Sequence, residues 1–107
     1  MNPPKSVRVG PHVYKVLKDD RTAQALRDES KYGITKVDRL EIHLDPNVAH
    51  TQVADTLLHE ILHCIWDQSG LREDQSLEES VICSITTELL NVLRSNPKVT
   101  KFLLSED

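Results

Sequence analysis

The sequence predicts an α+β fold: a small antiparallel or mixed sheet in the N-terminal half, packed on a motif helix and a following long helix. Three observations carry this. Leu40-Glu41-Ile42-His43-Leu44 alternates apolar and polar residues strictly, as a half-buried strand does. From about residue 50 the apolar period changes to that of a helix, and a second helical pattern covers roughly 75–95. With 107 residues the chain fits one domain, 1–107, because two independent cores would each fall near the lower limit for folding alone.

Taken in order, β-branched residues around Val7 and Val9, and then Val13, Val16 and Leu17, predict strands over 6–9 and 12–18, broken by Gly10-Pro11. Residues 21–30, with Ala23, Ala25 and Leu26, form a short helix that stops before Gly33. Tyr32 to Lys36 is the expected partner of the 40–44 strand, with Val37-Asp38-Arg39 turning between them and Asp45-Pro46-Asn47 ending the pair. In the segment 50–69, Val53, Leu57, Ile61, Cys64 and Ile65 share one face, flanked by Leu58 and Leu62, and Gly70 is a C-terminal stop. In the segment 75–95 the apolar set is Val81, Ile82, Ile85, Leu89, Val92 and Leu93, closed by Asn96-Pro97. Val99 to Leu104 adds one or two further helical turns.

Composition narrows the function classes. The net charge of −4 argues against a protein that lives on nucleic acid, where a basic footprint is the usual sign. No apolar run approaches the roughly 18 residues of a membrane span, and MNPPKSVRVG contains no apolar core of a secretory signal. Two cysteines are too few for a disulfide scaffold and suit a reducing compartment. A cytoplasmic protein is expected, acting on neither membrane nor nucleic acid.

The chemistry is concentrated in His59-Glu60-Ile61-Leu62-His63, an H-E-x-x-H motif. Residues four apart on a helix lie one above the other, so both imidazoles can converge on one metal ion, and neutral imidazole suits Zn²⁺. Glu60, one residue after the first histidine, sits beside such an ion and can act as general acid/base. Thr56, His59, Glu60 and His63 form a polar stripe, and no Lys or Arg falls anywhere in the helix. That pattern predicts a helix with core on one side and a cleft on the other.

Leu57-Leu58-His59-Glu60-Ile61-Leu62-His63, preceded by an alternating strand and followed by a helix with paired glutamates, resembles the minimal zincin metallopeptidases, particularly the small zincin-like proteins of phages and prophages. A looser likeness is to the bacterial and phage metallo-endopeptidases that cleave repressors. The resemblance covers about residues 31–95. It implies zinc-dependent hydrolysis of a peptide or protein substrate, in the host cytoplasm if the chain is phage-encoded, with an extended substrate added to a sheet edge. Two rivals stand beside it: a non-catalytic phage binding or assembly module on a zincin scaffold, and a zinc hydrolase acting on a non-peptide substrate.

A catalytic zinc site takes three protein ligands, and the motif provides two. The metzincin extension would place a third histidine at position 69, which is Ser69. The gluzincin solution draws a glutamate from the following helix, where Glu73, Asp74, Glu78, Glu79 and Glu88 are available. On the helical wheel Glu78 falls on the centre of the apolar stripe between Ile85 and Leu89, where a carboxylate is costly unless paired or metal-bound. Glu79 lies about 100° away and completes a capping box with Ser76 as N-cap. The wheel therefore favours His59, His63 and Glu78 as ligands, with Glu79 the alternative.

Other residues carry weaker expectations. His12, His43, His50, Tyr14 and Tyr32 could stabilise an oxyanion or orient a ligand, and His43 lies on the polar face of the strand before the motif helix. Asp67, one turn after His63, could hold a ligand's other ring nitrogen. Cys64 and Cys83 read as small buried apolar residues, and Trp66 as cover for the helix flank.

Overall fold

The computed structural model describes residues 2–73 and 75–106. Four strands and four helices follow along it: β1 (Ser6–Val9), β2 (His12–Leu17), α1 (Asp20–Asp28), β3 (Gly33–Lys36), β4 (Glu41–Leu44), α2 (His50–Gln68), α3 (Gln75–Ser95) and α4 (Pro97–Leu104). The α+β class is the one expected, and the sheet is mixed. Its strand order is β1-β2-β4-β3, with β2 and β4 parallel and the two outer pairs antiparallel. No helix among the described residues is long and apolar enough to cross a membrane.

Each element has a local cause. β1 and β2 form a hairpin around Gly10, whose φ of +58° suits a residue without a Cβ. The Asp19 carboxylate caps α1 by accepting from the Thr22 backbone N–H at 3.1 Å. In β4 the alternation holds, since Ile42 and Leu44 are fully buried while Glu41 and His43 point to the other face. Asp45 ends β4; its Oδ1 accepts from the Asn47 N–H, and its carboxylate is paired with Arg27 of α1 at 3.3 Å. Pro97 occupies the first turn of α4, where its missing N–H costs nothing.

The core cluster joins the sheet to α2 through Val9, Tyr14, Val16, Ile42, Leu44, Val53 and Cys64. Within β2 the inward residues are Tyr14 and Val16, whereas Val13 is exposed. Tyr14, considered above as an oxyanion donor, is instead a core residue whose hydroxyl accepts from Gln68 Nε2 at 3.3 Å. α3 packs mainly on α2 and α4, and it is turned differently from the apolar stripe read in the sequence. Ile82 and Thr86 are its buried residues, while Ile85 and Leu89 are exposed. α2 covers α3 from one side, so only one edge of the broad apolar stripe is buried. Thr86 is tolerated there because its hydroxyl donates to the Ile82 carbonyl at 2.7 Å.

Candidate metal centre

Two elements bring the donor groups together. α2 presents His59 and His63 one turn apart, with their Nε2 atoms 3.2 Å from each other and the rings edge-to-face. α3 runs alongside and supplies Glu78 and Glu79 from its N-terminal end. The Glu79 carboxylate bridges the two imidazoles: Oε1 is 2.8 Å from His59 Nε2, and Oε2 is 3.2 Å from His63 Nε2. His59, His63 and Glu79 therefore form the donor cluster, with ligand atoms within 4.8 Å of one another.

Glu78 occupies a different place from the one its wheel position suggests. Its Oε2 lies 2.5 Å from His63 Nδ1, the ring nitrogen on the opposite side of the imidazole from the cluster. There it holds the ring's orientation, and a proton on Nδ1 would leave the Nε2 lone pair free for a metal ion. The rotation of α3 explains the exchange. With Ile82 and Thr86 turned to α2, positions 78 and 79 straddle the contact, and Glu79 points at the Nε2 side. The helix also begins at Gln75, so Ser76 lies within its first turn and is not the N-cap, and the Glu79 side chain is directed to the histidines. Asp74 lies outside the described residues. Glu73 and Glu88 are exposed, and neither belongs to the cluster.

The donor spacings fit a cation. Atoms around a small tetrahedral ion with bonds of about 2.0–2.1 Å stand about 3.3 Å apart, close to the 2.8–3.2 Å separations here. Two imidazoles and one carboxylate accept several divalent ions, zinc among them.

Glu60 lies beside the cluster and is buried, its Oε1 accepting from Thr35 Oγ1 at 2.7 Å. The same hydroxyl reaches the Glu60 backbone carbonyl at 3.2 Å. Burial pushes the Glu60 carboxyl above its usual pKa, against the Thr35 hydrogen bond and the two imidazoles, which favour the anion. Burial also acts to raise Glu79, but the Cys83 thiol and the imidazoles together hold it below the ordinary value. These residues open on a cleft of about 570 Å³, bounded opposite by Gly33, Ile34 and Thr35 of β3. A smaller recess of about 220 Å³, lined by Tyr32, Gln52 and Asp55, shares His59 and Glu60 with it.

The remaining candidates are dispersed. His43 projects from β4 toward α1, 2.9 Å from Glu41 Oε1. β4 is an inner strand, and the strand bordering the cleft is β3. His12 and His50 are exposed and outside the cluster. Asp67 lines the cleft, but the carboxylate on His63 Nδ1 is that of Glu78. Cys64 is buried as expected, its thiol pushed up to about 11 by desolvation. Cys83 is exposed, contrary to the expectation, and donates to Glu79 Oε1 at 3.1 Å. Trp66 is buried at the helix flank. Sequence reasoning does not single out Thr35. Its contact with Glu60 spans 25 residues and leaves no local signal, although its place in the strand before β4 is legible.

Comparison with protein-family models, with curated proteins and with solved structures finds no match for this chain.

Proposed function

We propose that the protein is a zinc-dependent metallopeptidase, with His59, His63 and Glu79 as metal ligands and Glu60 as general acid/base. The observation that carries the reading is the convergence of both Nε2 atoms and the Glu79 carboxylate beside a buried Glu60, in one cleft. A bound zinc would supply Lewis acidity toward a carbonyl oxygen and lower the pKa of a coordinated water toward about 7.

The chain's own residues do the rest. Glu60 accepts a proton from the attacking water at its carboxylate and delivers it to the leaving nitrogen. Thr35 holds Oε1, so the carboxylate enters the reaction in a fixed orientation. Burial raises its basicity, which suits a group that must take a proton at neutral pH. Glu78 keeps the His63 ring oriented through Nδ1. β3 is an edge strand beside the cleft, so an extended peptide can pair with its free backbone groups and pass the cluster. The H-E-x-x-H motif and its likeness to the small zincins support the same reading. A cytoplasmic setting belongs to it as well, supported by two cysteines left as free thiols.

Glu60→Gln tests the reading, because it keeps size and the Thr35 contact while removing the base. On a peptide library, cleavage by the parent should be abolished by chelation and restored by zinc. Glu60→Gln should reduce it by about 10²–10⁴-fold while zinc stays bound. Undiminished cleavage after that substitution, or a chain that takes up no zinc, overturns the proposal.

A further inference from the structure

We infer that the protein self-associates through the outer flank of α3 and one face of α4, forming an antiparallel two-fold dimer centred on Ile85. Leu77, Val81, Ile85, Leu89 and Val92 follow one another at helical spacing along the whole of α3, yet each is between 37% and 51% exposed. α4 docks on α3, with the Thr100 hydroxyl donating to the Leu93 carbonyl at 2.6 Å. It adds Val99, Phe102 and Leu103 on a face of its own, between 46% and 79% exposed, and none of its residues is buried. Summed over both helices, these side chains expose on the order of 700 Å² of surface. That is about what each partner contributes to a stable interface.

The area and the symmetry of the stripe identify the occupant as a second copy. The stripe is close to symmetric about its middle: Val81 and Leu89 lie one turn to either side of Ile85, and Leu77 and Val92 about two turns. An antiparallel copy turned about Ile85 sets each of these against a residue of similar size, as an isologous contact requires. Glu79 and Cys83 lie on another side of α3 from the stripe, and Glu78, at the N-terminal end of the stripe, turns its carboxylate onto His63.

The inference does not depend on the chemistry proposed above. Sedimentation velocity on the full chain, carried from low to high micromolar concentration, should give a species of twice the 12.2 kDa chain mass. Ile85→Glu places two carboxylates at the axis and should return the protein to a monomer with an unchanged far-UV circular dichroism spectrum. Ile85 is already partly exposed, so the monomer fold tolerates the change. A parent chain that stays monomeric, a dimer that survives Ile85→Glu, or association without defined size overturns the inference.

Discussion

Glu78 and Glu79 are adjacent in sequence, but they face opposite nitrogens of the same imidazole, and their replacement should separate cleanly in zinc affinity. Glu79 meets both Nε2 atoms at 2.8 and 3.2 Å, so Glu79→Gln removes the anionic donor of the set. Glu78 meets His63 at Nδ1, 2.5 Å away, on the side opposite Nε2. Loss of such an outer partner typically costs about 10–100-fold in metal affinity, or roughly 1.4–2.7 kcal/mol. Glu78→Ala should fall in that range. Glu78→Gln should lose about tenfold or less, because its amide oxygen still accepts from Nδ1. Glu79→Gln should lose more than about 100-fold, since two imidazoles alone leave the set one ligand short. Zinc competition against a chromogenic chelator at neutral pH measures all three on one scale. If Glu79→Gln binds within about tenfold of the parent, or Glu78→Gln binds more weakly than Glu79→Gln, the assignment drawn from the rotation of α3 is wrong.

Two further outcomes follow from the geometry of β3 and α1. A Cβ on Gly33 would stand 2.6 Å from Thr56 Cγ2 and 3.0 Å from the His43 carbonyl, so Gly33→Ala should push β3 away from α2 and cost about 1–3 kcal/mol in a urea titration. The same shift pulls Thr35 from Glu60, so the variant should lose the proposed peptidase activity beyond its loss of folded protein. Asp19 is held below the usual carboxylate pKa by its hydrogen bonds from Thr22. A lowered folded-state value means that its stabilisation is present above the unfolded pKa and fades as pH falls through the folded one. Asp19→Ala should therefore melt below the parent at neutral pH, with the gap closing in strong acid; a gap independent of pH would show that the charged cap contributes nothing.

Much of the fold was legible because it rests on short-range rules. The alternation in β4 places Ile42 and Leu44 in the core, and the bounds of α2 and α3 follow from apolar period and from Gly70 and Asn96-Pro97. The H-E-x-x-H spacing brings His59 and His63 together for the same reason, as a property of one helix. What the sequence hides depends on contacts between elements. The stripe on α3 is wider than its contact with α2, so hydrophobicity alone centres it on Ile85 and Leu89, whereas packing selects the edge carrying Ile82 and Thr86. That rotation decides which glutamate reaches the Nε2 atoms. In β2, Val13 and Tyr14 both suit an inward position, and only pairing with β1 and β4 turns Tyr14 in. Thr35 and Glu60 meet across two elements, where no local pattern could join them.

The cluster is divided between a helix built into the sheet and one that is not. α2 is anchored by the core residues Val53 and Cys64, while the main packing partners of α3 are α2 and α4. Such an arrangement separates two opening free energies. The α3–α4 unit is expected to open at lower cost than the sheet and α2, a difference that native-state hydrogen exchange would read. An ion held by His59, His63 and Glu79 spans that division. Its binding energy would then appear in the amide protection of α3, as a latch on one unit, with little change in β4.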